Sequence, residues 1–191
     1  MLTLFLAAAF AAPPSSTLTN SAGATLAWTV ASSPSGVSID GRSPRWTVHH
    51  EAFADLSPKR TVRSDAAGRR VTVDYAPDHV VVHLPEGDVT HTIANVWDGD
   101  TLDIRLGQLV VLGRPDVSFQ AVDPATGDVY GFTAQRAGTE TCGNAPCTHV
   151  HVNMTGIYRL VGPTFDYWYA SDGRLVQFQG PLGKFVAKGA P

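Results

Sequence analysis

The chain has 191 residues, of which 43% are hydrophobic and 16% are charged, and its formal net charge is −3. This length fits one domain, and the hydrophobic fraction is large enough for a core, which excludes wholesale disorder. The small negative charge also excludes a protein that coats nucleic acid through a basic surface, so no nucleic-acid partner is expected.

The first segment is typical of a secretory signal peptide. Residues 2–10 form an apolar run that is too short for a bilayer span, and Ala9-Phe10-Ala11 has the pattern of a cleavage site. No basic residue precedes this run, which leaves a disordered Ala-rich terminus as the alternative. The sequence predicts a signal peptide at 1–12, a flexible spacer at 13–24 and a single antiparallel β domain at 25–191. We expect export to the periplasm or the extracellular space, and no transmembrane segment.

From residue 25 onward, the pattern alternates between short strands and turns. Apolar residues alternate with polar ones, and clusters of Gly, Pro, Asp and Ser separate the runs. Strands at this spacing favour an all-β fold, a mostly antiparallel barrel, half-barrel or sandwich. The predicted strands cover residues 26–30, 46–48, 61–63, 70–75, 80–84, 89–93, 117–122, 129–137, 165–170 and 175–179. The predicted core residues are Trp28, Trp46, Val73, Val81, Phe119, Tyr130, Phe132, Val150 and Tyr167.

One segment fits a helix better than the others. Leucines recur at helical spacing from Thr101 to Leu109, and Asp98 or Asp100 is placed to cap the first turn. The same residues also fit a strand. Carboxylates at the spacing of Asp98, Asp100 and Asp103 can bind calcium, but the other ligands of an EF-hand are absent, so a turn with a helix cap is the simpler interpretation.

The two cysteines predict a disulfide. Cys142 and Cys147 flank the turn-forming sequence Gly-Asn-Ala-Pro, and a close pair of cysteines in an exported protein is most simply oxidised.

Three stretches of the chain form a recognisable pattern: 50–58, 96–102, and 138–141 with 165–169 and 171–176. Taken together, they resemble the exported bacterial β-proteins of the DUF3108-like group. In that group, a G-x-E strand is followed by a turn, a second strand and a W-Y-x-x-D-G-R-L hairpin. The resemblance implies an envelope location and an antiparallel, half-barrel architecture, and it carries over no catalytic residue. This chain departs from the group at Cys142–Cys147, which replaces a Pro-Ala-Gly turn.

Histidines raise the alternative of a metal site. His149 and His151 share one face of a strand, close to the two cysteines, but the spacings within both pairs differ from those of known zinc sites. A disulfide followed by the polar side of a strand is the simpler interpretation, so neither a metal nor another cofactor is predicted. The other histidines are scattered, and no convergence can be deduced for them: His49, His50, His79, His83 and His91.

The aromatic hairpin suggests a ligand groove. Phe165, Tyr167 and Tyr169 alternate along one predicted strand and therefore share a face, where they line a groove or pack in the core. No nucleophile motif is present, and no catalytic residue is predicted. The sequence favours a non-enzymatic envelope module for binding or assembly that holds an apolar small molecule, lipid or polymer in a β groove. The alternative is a metal-dependent periplasmic enzyme or metal-binding protein that uses His149, His151 and other histidines.

Overall fold

One continuous sheet dominates the molecule. The computed structural model describes residues 14–160 and 162–187, and they form fifteen strands and one α-helix, which confirms the all-β fold class. The helix α1 spans Leu102–Val111. The strands are β1 Ser16–Asn20, β2 Thr25–Ser33, β3 Gly36–Arg42, β4 Trp46–Ala52, β5 Pro58–Asp65, β6 Arg70–Tyr75, β7 Val80–Leu84, β8 Gly87–His91, β9 Trp97–Asp98, β10 Val117–Val122, β11 Val129–Cys142, β12 Ala145–Met154, β13 Thr164–Tyr169, β14 Leu175–Gly180 and β15 Gly183–Ala187.

The strand order divides the sheet into two runs that meet at the first strand. From β1 to β8 each strand pairs with its successor, and the same holds from β9 to β15. Strand β1 pairs with β2 on one side and with β15 on the other, so it joins the two runs. Every pairing is antiparallel except that of β9 with β10, which is parallel.

The predicted spacer is wrong for Ser16–Asn20, which form β1 in the interior of the sheet. The side chain of Leu18 is completely buried, with Leu26 and Ala187 as its partners on the neighbouring strands. The physical reason is the alternation of buried Ser16 and Leu18 with exposed Thr17, which is a strand pattern in a segment that its Ser, Thr and Pro content made look like a linker. The predicted signal peptide lies outside the described residues.

The far ends of the sheet curl toward each other. Valines of β6 and β7 pack against Val96 and Val122, which lie beside β9 and at the end of β10. Polar contacts reinforce this closure, because Nη1 of Arg69 donates to the carbonyl oxygen of Ala125 and Nε2 of His91 lies 2.7 Å from that of Gly127. The sheet therefore encloses a core.

The helix lies within this core. Its range confirms the predicted helix, and the Asp98 carboxylate accepts hydrogen bonds from the backbone N–H groups of Asp100 and Thr101 in the 3-10 turn that leads into it. Such a cap satisfies donors that a helix terminus otherwise leaves unpaired. Unlike a surface helix, α1 buries polar residues such as Asp103 together with Leu106. None of the helices in the described part of the chain is long and apolar enough to cross a membrane.

Two glycines allow the helix to approach the turn between β13 and β14. A Cβ atom on Gly107 would collide with the carbonyl oxygen of Gly173, and one on Gly173 would lie 2.7 Å from that of Gly107. Gly173 also has a φ of 81°, a conformation that favours glycine. The two backbones are thus in direct contact.

We expect Gly107→Ala to destabilise the protein by about 1–3 kcal/mol, the usual cost of overpacking. The sign is informative, because the same change in an exposed helix stabilises by about 1 kcal/mol. Urea denaturation measures the difference, and Leu112→Ala at the exposed end of α1 serves as the control, with an expected change within about 0.5 kcal/mol. A gain of stability in Gly107→Ala would contradict the close backbone contact.

Candidate ligand-binding cavity

A cavity of about 610 Å³ lies between β4 and β5 on one side and β10–β14 on the other, and its walls are predominantly apolar. A depression of about 690 Å³ over β2–β6 has a polar lining that includes Asp40, Arg42 and His49, so it is less suited to an apolar molecule. The larger side chains in the walls of the apolar cavity are Trp46, Tyr130, Phe132, Met154, Tyr158, Phe165, Tyr167, Phe178 and Leu182.

The register of strands β11–β14 brings the aromatic wall together. Phe132 lies opposite Met154, and Tyr167 lies opposite Phe178, so side chains of four successive strands face the same space. The ring centroids of Tyr167 and Phe178 are 5.1 Å apart, and those of Phe132 and Phe165 are 6.5 Å apart. Contacts of this kind hold the rings in fixed positions.

The structure divides the three aromatic residues singled out in the sequence. Phe165 and Tyr167 line the cavity, whereas Tyr169 is completely buried beyond it. The Tyr169 hydroxyl donates to the backbone carbonyl oxygen of Asp103 at 2.8 Å. Tyr169 therefore fastens the helix to β13 and is not part of the wall.

The cavity continues into a smaller space of about 160 Å³ that shares Asp100 and Phe165 with it. Trp28 and Asp103 line only this inner space. Three polar atoms here have no hydrogen-bond partner among the described residues, namely Oδ2 of Asp100, Oδ2 of Asp103 and Nε1 of Trp28. Buried polar atoms are normally paired, so these three atoms make the inner space a candidate site for the polar group of a ligand.

The acidic side chains of this inner space are strongly perturbed. Burial raises the pKa of Asp103 to about 7, and the nearby Asp100 and Asp98 carboxylates add to the increase. Burial and Asp98 also raise the pKa of Asp100, although its ion pair with the Arg63 guanidinium opposes the change. Arg63 lies in turn over the ring of Trp46, 5.3 Å from its centroid.

Asp98 holds β5, β6 and the 3-10 turn together through hydrogen bonds. Its Oδ2 accepts hydrogen bonds from the hydroxyls of Thr61 and Tyr75, both at 2.6 Å, while Oδ1 binds the 3-10 turn. Because Thr61 donates its only proton to Asp98, its oxygen accepts from Nδ1–H of His50 at 2.7 Å. Burial lowers the pKa of His50, which favours a neutral ring, and raises that of Tyr75.

The histidines predicted as a metal alternative, His149 and His151, lie on β12, and Asp166 lies beside them on the neighbouring strand β13. Nε2 of His149 and Nδ1 of His151 both lie 2.7 Å from Oδ1 of Asp166, and Nδ1 of His149 lies 2.8 Å from Oε1 of Glu140. The His149 ring also stacks on Trp168 at 4.4 Å. In the described ranges, no group of three or more His, Cys, Asp or Glu side chains has the geometry to hold a metal ion.

The cysteines lie at the turn between β11 and β12, away from the cavity lining. Their sulfurs are at disulfide distance, with Cα atoms 5.8 Å apart, and Cys147 packs against Trp168 and Val176. The pair therefore closes a local turn at the end of a long hairpin.

Sequence reasoning missed the polar residues of the cavity. Arg63 was predicted only as a residue of the strand at 61–63, and Asp100 and Asp103 were assigned to a turn and helix cap. The available signal was Asp103 itself, a carboxylate within a helix whose other positions are largely apolar. A charged residue in such a place needs a partner or a function.

Comparisons with known proteins identify the fold alone. No family model matches the chain, and no curated protein matches it. Among solved structures, the chain is similar to a β-barrel-like protein of the domain of unknown function DUF1849 from Brucella abortus, with a TM-score of 0.65 and 11% identity. The match covers 95% of this chain and 97% of that chain. It supports a β-barrel-like fold and does not single out the DUF3108-like group.

Proposed function

We propose that this protein is an exported, non-enzymatic binding protein that holds an amphiphile, with the apolar chain in the aromatic cavity. The observation that carries the proposal is the open, mainly apolar cavity of about 610 Å³, whose volume lies within the usual range for small-molecule sites. Each methylene group removed from water there contributes about 0.8 kcal/mol, so an alkyl chain gains affinity with length.

The mouth of the cavity is also apolar. Tyr158 and Leu182 line the cavity and are 45% and 44% exposed. Ile157 and Leu160, in the same short segment as Tyr158, are 78% and 88% exposed. Exposed apolar side chains next to an apolar cavity suit the entry of a poorly soluble ligand.

The cellular setting is part of this proposal. The cysteine pair at disulfide distance fits an oxidising compartment such as the periplasm, as does the signal-like start of the sequence. Membership of the DUF3108-like group also remains a proposal and rests on the motifs of the sequence.

A neutral apolar dye tests whether the cavity binds ligands. We expect N-phenyl-1-naphthylamine to bind the native protein saturably, with increased fluorescence, and Ala125→Trp to weaken binding at least about tenfold, because Ala125 lines the cavity and an indole would fill part of it. The matched control is Ala67→Trp, which places the same side chain on the exposed turn between β5 and β6 and should leave the affinity unchanged. Absence of saturable binding, or equal affinities for the two variants, would overturn the proposal.

A further inference from the structure

We propose that the inner end of the cavity takes a primary ammonium head group, so that the preferred ligands are cationic amphiphiles. This inference rests on the proposed function and adds the chemistry of the head group. It starts from the inner space of about 160 Å³, which is large enough for a small head group and is lined by Asp100 and Asp103.

Negative charge at this end exceeds the positive charge that faces it. Asp98, Asp100 and Asp103 follow one another along the 3-10 turn and the first turn of α1. Among the described residues, Arg63 is the cation paired with this group, and it binds Asp100 through Oδ1. The neutral His50 ring contributes no charge, so within the described part of the chain Asp103 has no cationic partner of its own.

The unpaired atoms specify what the head group must offer. Oδ2 of Asp100 and Oδ2 of Asp103 are acceptors without a donor, and an ammonium group presents three donors and no acceptor. A carboxylate head would instead face two carboxyl groups, while its natural partner Arg63 is already occupied by Asp100 and Trp46. Nε1 of Trp28 remains available to donate to an oxygen next to the ammonium group.

The same geometry makes binding depend on pH. Asp103 has a pKa raised to about 7, so below this pH it is mostly neutral and attracts an ammonium group weakly. The other titratable groups around it are Asp98, Asp100 and two tyrosines of β13, Tyr167 and Tyr169. Burial raises the pKa values of the two tyrosines, so both tyrosines remain neutral. Affinity for an ammonium head should therefore rise with pH up to about 7 and then level off.

Three probes that share a dodecyl chain test the proposal by titration calorimetry with the whole protein. Dodecylammonium, 1-dodecanol and dodecanoate differ only in the head group. At pH 7.5 we expect dodecylammonium to bind at least about tenfold more tightly than the other two, because only its head group carries the positive charge that complements the carboxylates. Between pH 5.5 and 7.5 its affinity should rise at least about tenfold, while that of dodecanol stays constant.

A variant assigns the preference to Asp103. We expect Asp103→Asn to remove most of the preference for dodecylammonium over dodecanol and to reduce the pH dependence, of which Asp100 keeps a part because its pKa is also raised to about 7. Asp103→Asn should fold, because it keeps the shape of the side chain and removes the cost of ionising a buried carboxyl. Asp78→Asn, at an exposed carboxylate, is the matched control. Equal affinity for the three probes, or an unchanged preference in Asp103→Asn, overturns this inference but leaves the proposed function intact. Failure of all three probes to bind overturns both.

Discussion

Replacing Asp98 with alanine is expected to lower the free energy of unfolding by about 4 kcal/mol or more. The carboxylate accepts hydrogen bonds from the Thr61 and Tyr75 hydroxyls and from the backbone N–H groups of Asp100 and Thr101. Each hydrogen bond to a charged group contributes about 1.5–3 kcal/mol, and the change leaves buried donors unpaired. Because Asp98 connects β5 and β6 to the start of α1, its loss affects the closure of the sheet as well as the cap.

Urea denaturation followed by far-UV circular dichroism measures this effect. Asp98→Asn provides a second variant of the same shape that keeps part of the hydrogen bonding, so we expect its stability to lie between those of the native protein and Asp98→Ala. Asp78→Ala, at a carboxylate whose side chain is 83% exposed, is the control and should change stability by less than about 0.5 kcal/mol. A cost below about 1 kcal/mol for Asp98→Ala would show that the buried network is not a major source of stability.

Replacing Leu18 with alanine is expected to cost about 3 kcal/mol. Leu18 is completely buried in the main core, and a leucine truncated in such a place leaves a cavity that the surroundings fill only in part. The strand that carries it also joins the two runs of the sheet, so the backbone around the cavity is held on both sides and has little freedom to collapse.

The matched control for this experiment lies one residue away. Thr17→Ala changes an exposed side chain of the same strand and should cost less than about 0.5 kcal/mol. Thermal and urea denaturation of both variants separate the role of the side chain from that of the strand. Similar small effects for Leu18→Ala and Thr17→Ala would mean that β1 contributes little to stability, as expected of a flexible spacer.

Alternation along the strands identified most of the core. Six of the nine predicted core residues are buried: Trp28, Val73, Phe119, Phe132, Val150 and Tyr167. Trp46 and Tyr130 are only partly buried, because both line the cavity. The sequence identified these two as apolar positions but could not show that they face a cavity.

Alternation of apolar and polar residues does not identify the buried face in a run of valines. Val81 was predicted as a core residue, but Val80 and Val82 are completely buried and Val81 is not. In a continuous apolar run, alternation does not determine which face is inward. The face is set by tertiary packing, here against Val96 and Val122.

The position of the acidic side chains in the inner space depends on strand order and could not be predicted from the sequence. Arg63 and Asp100 are 37 residues apart in the chain, and they meet because β5 passes the turn after β9 when the sheet curls. Local patterns indicate the strands and the cap at Asp98 but do not show which distant elements become neighbours. The resemblance to the DUF3108-like group likewise concerned turns and packing residues.

The pairing of β1 with β15 brings the two ends of the described chain side by side, with Leu18 opposite Ala187. If the sheet is followed from β9 through β15 and then from β1 to β8, every strand neighbours the one before it. Apart from the parallel strand β9, the strand order is therefore that of an up-and-down meander in circularly permuted form, and the ends of that meander lie at the connection between β8 and β9. A permuted chain that begins after His91 and links Ala187 to Ser16 would form every strand pairing between consecutive strands, and would no longer depend on the last strand finding the first.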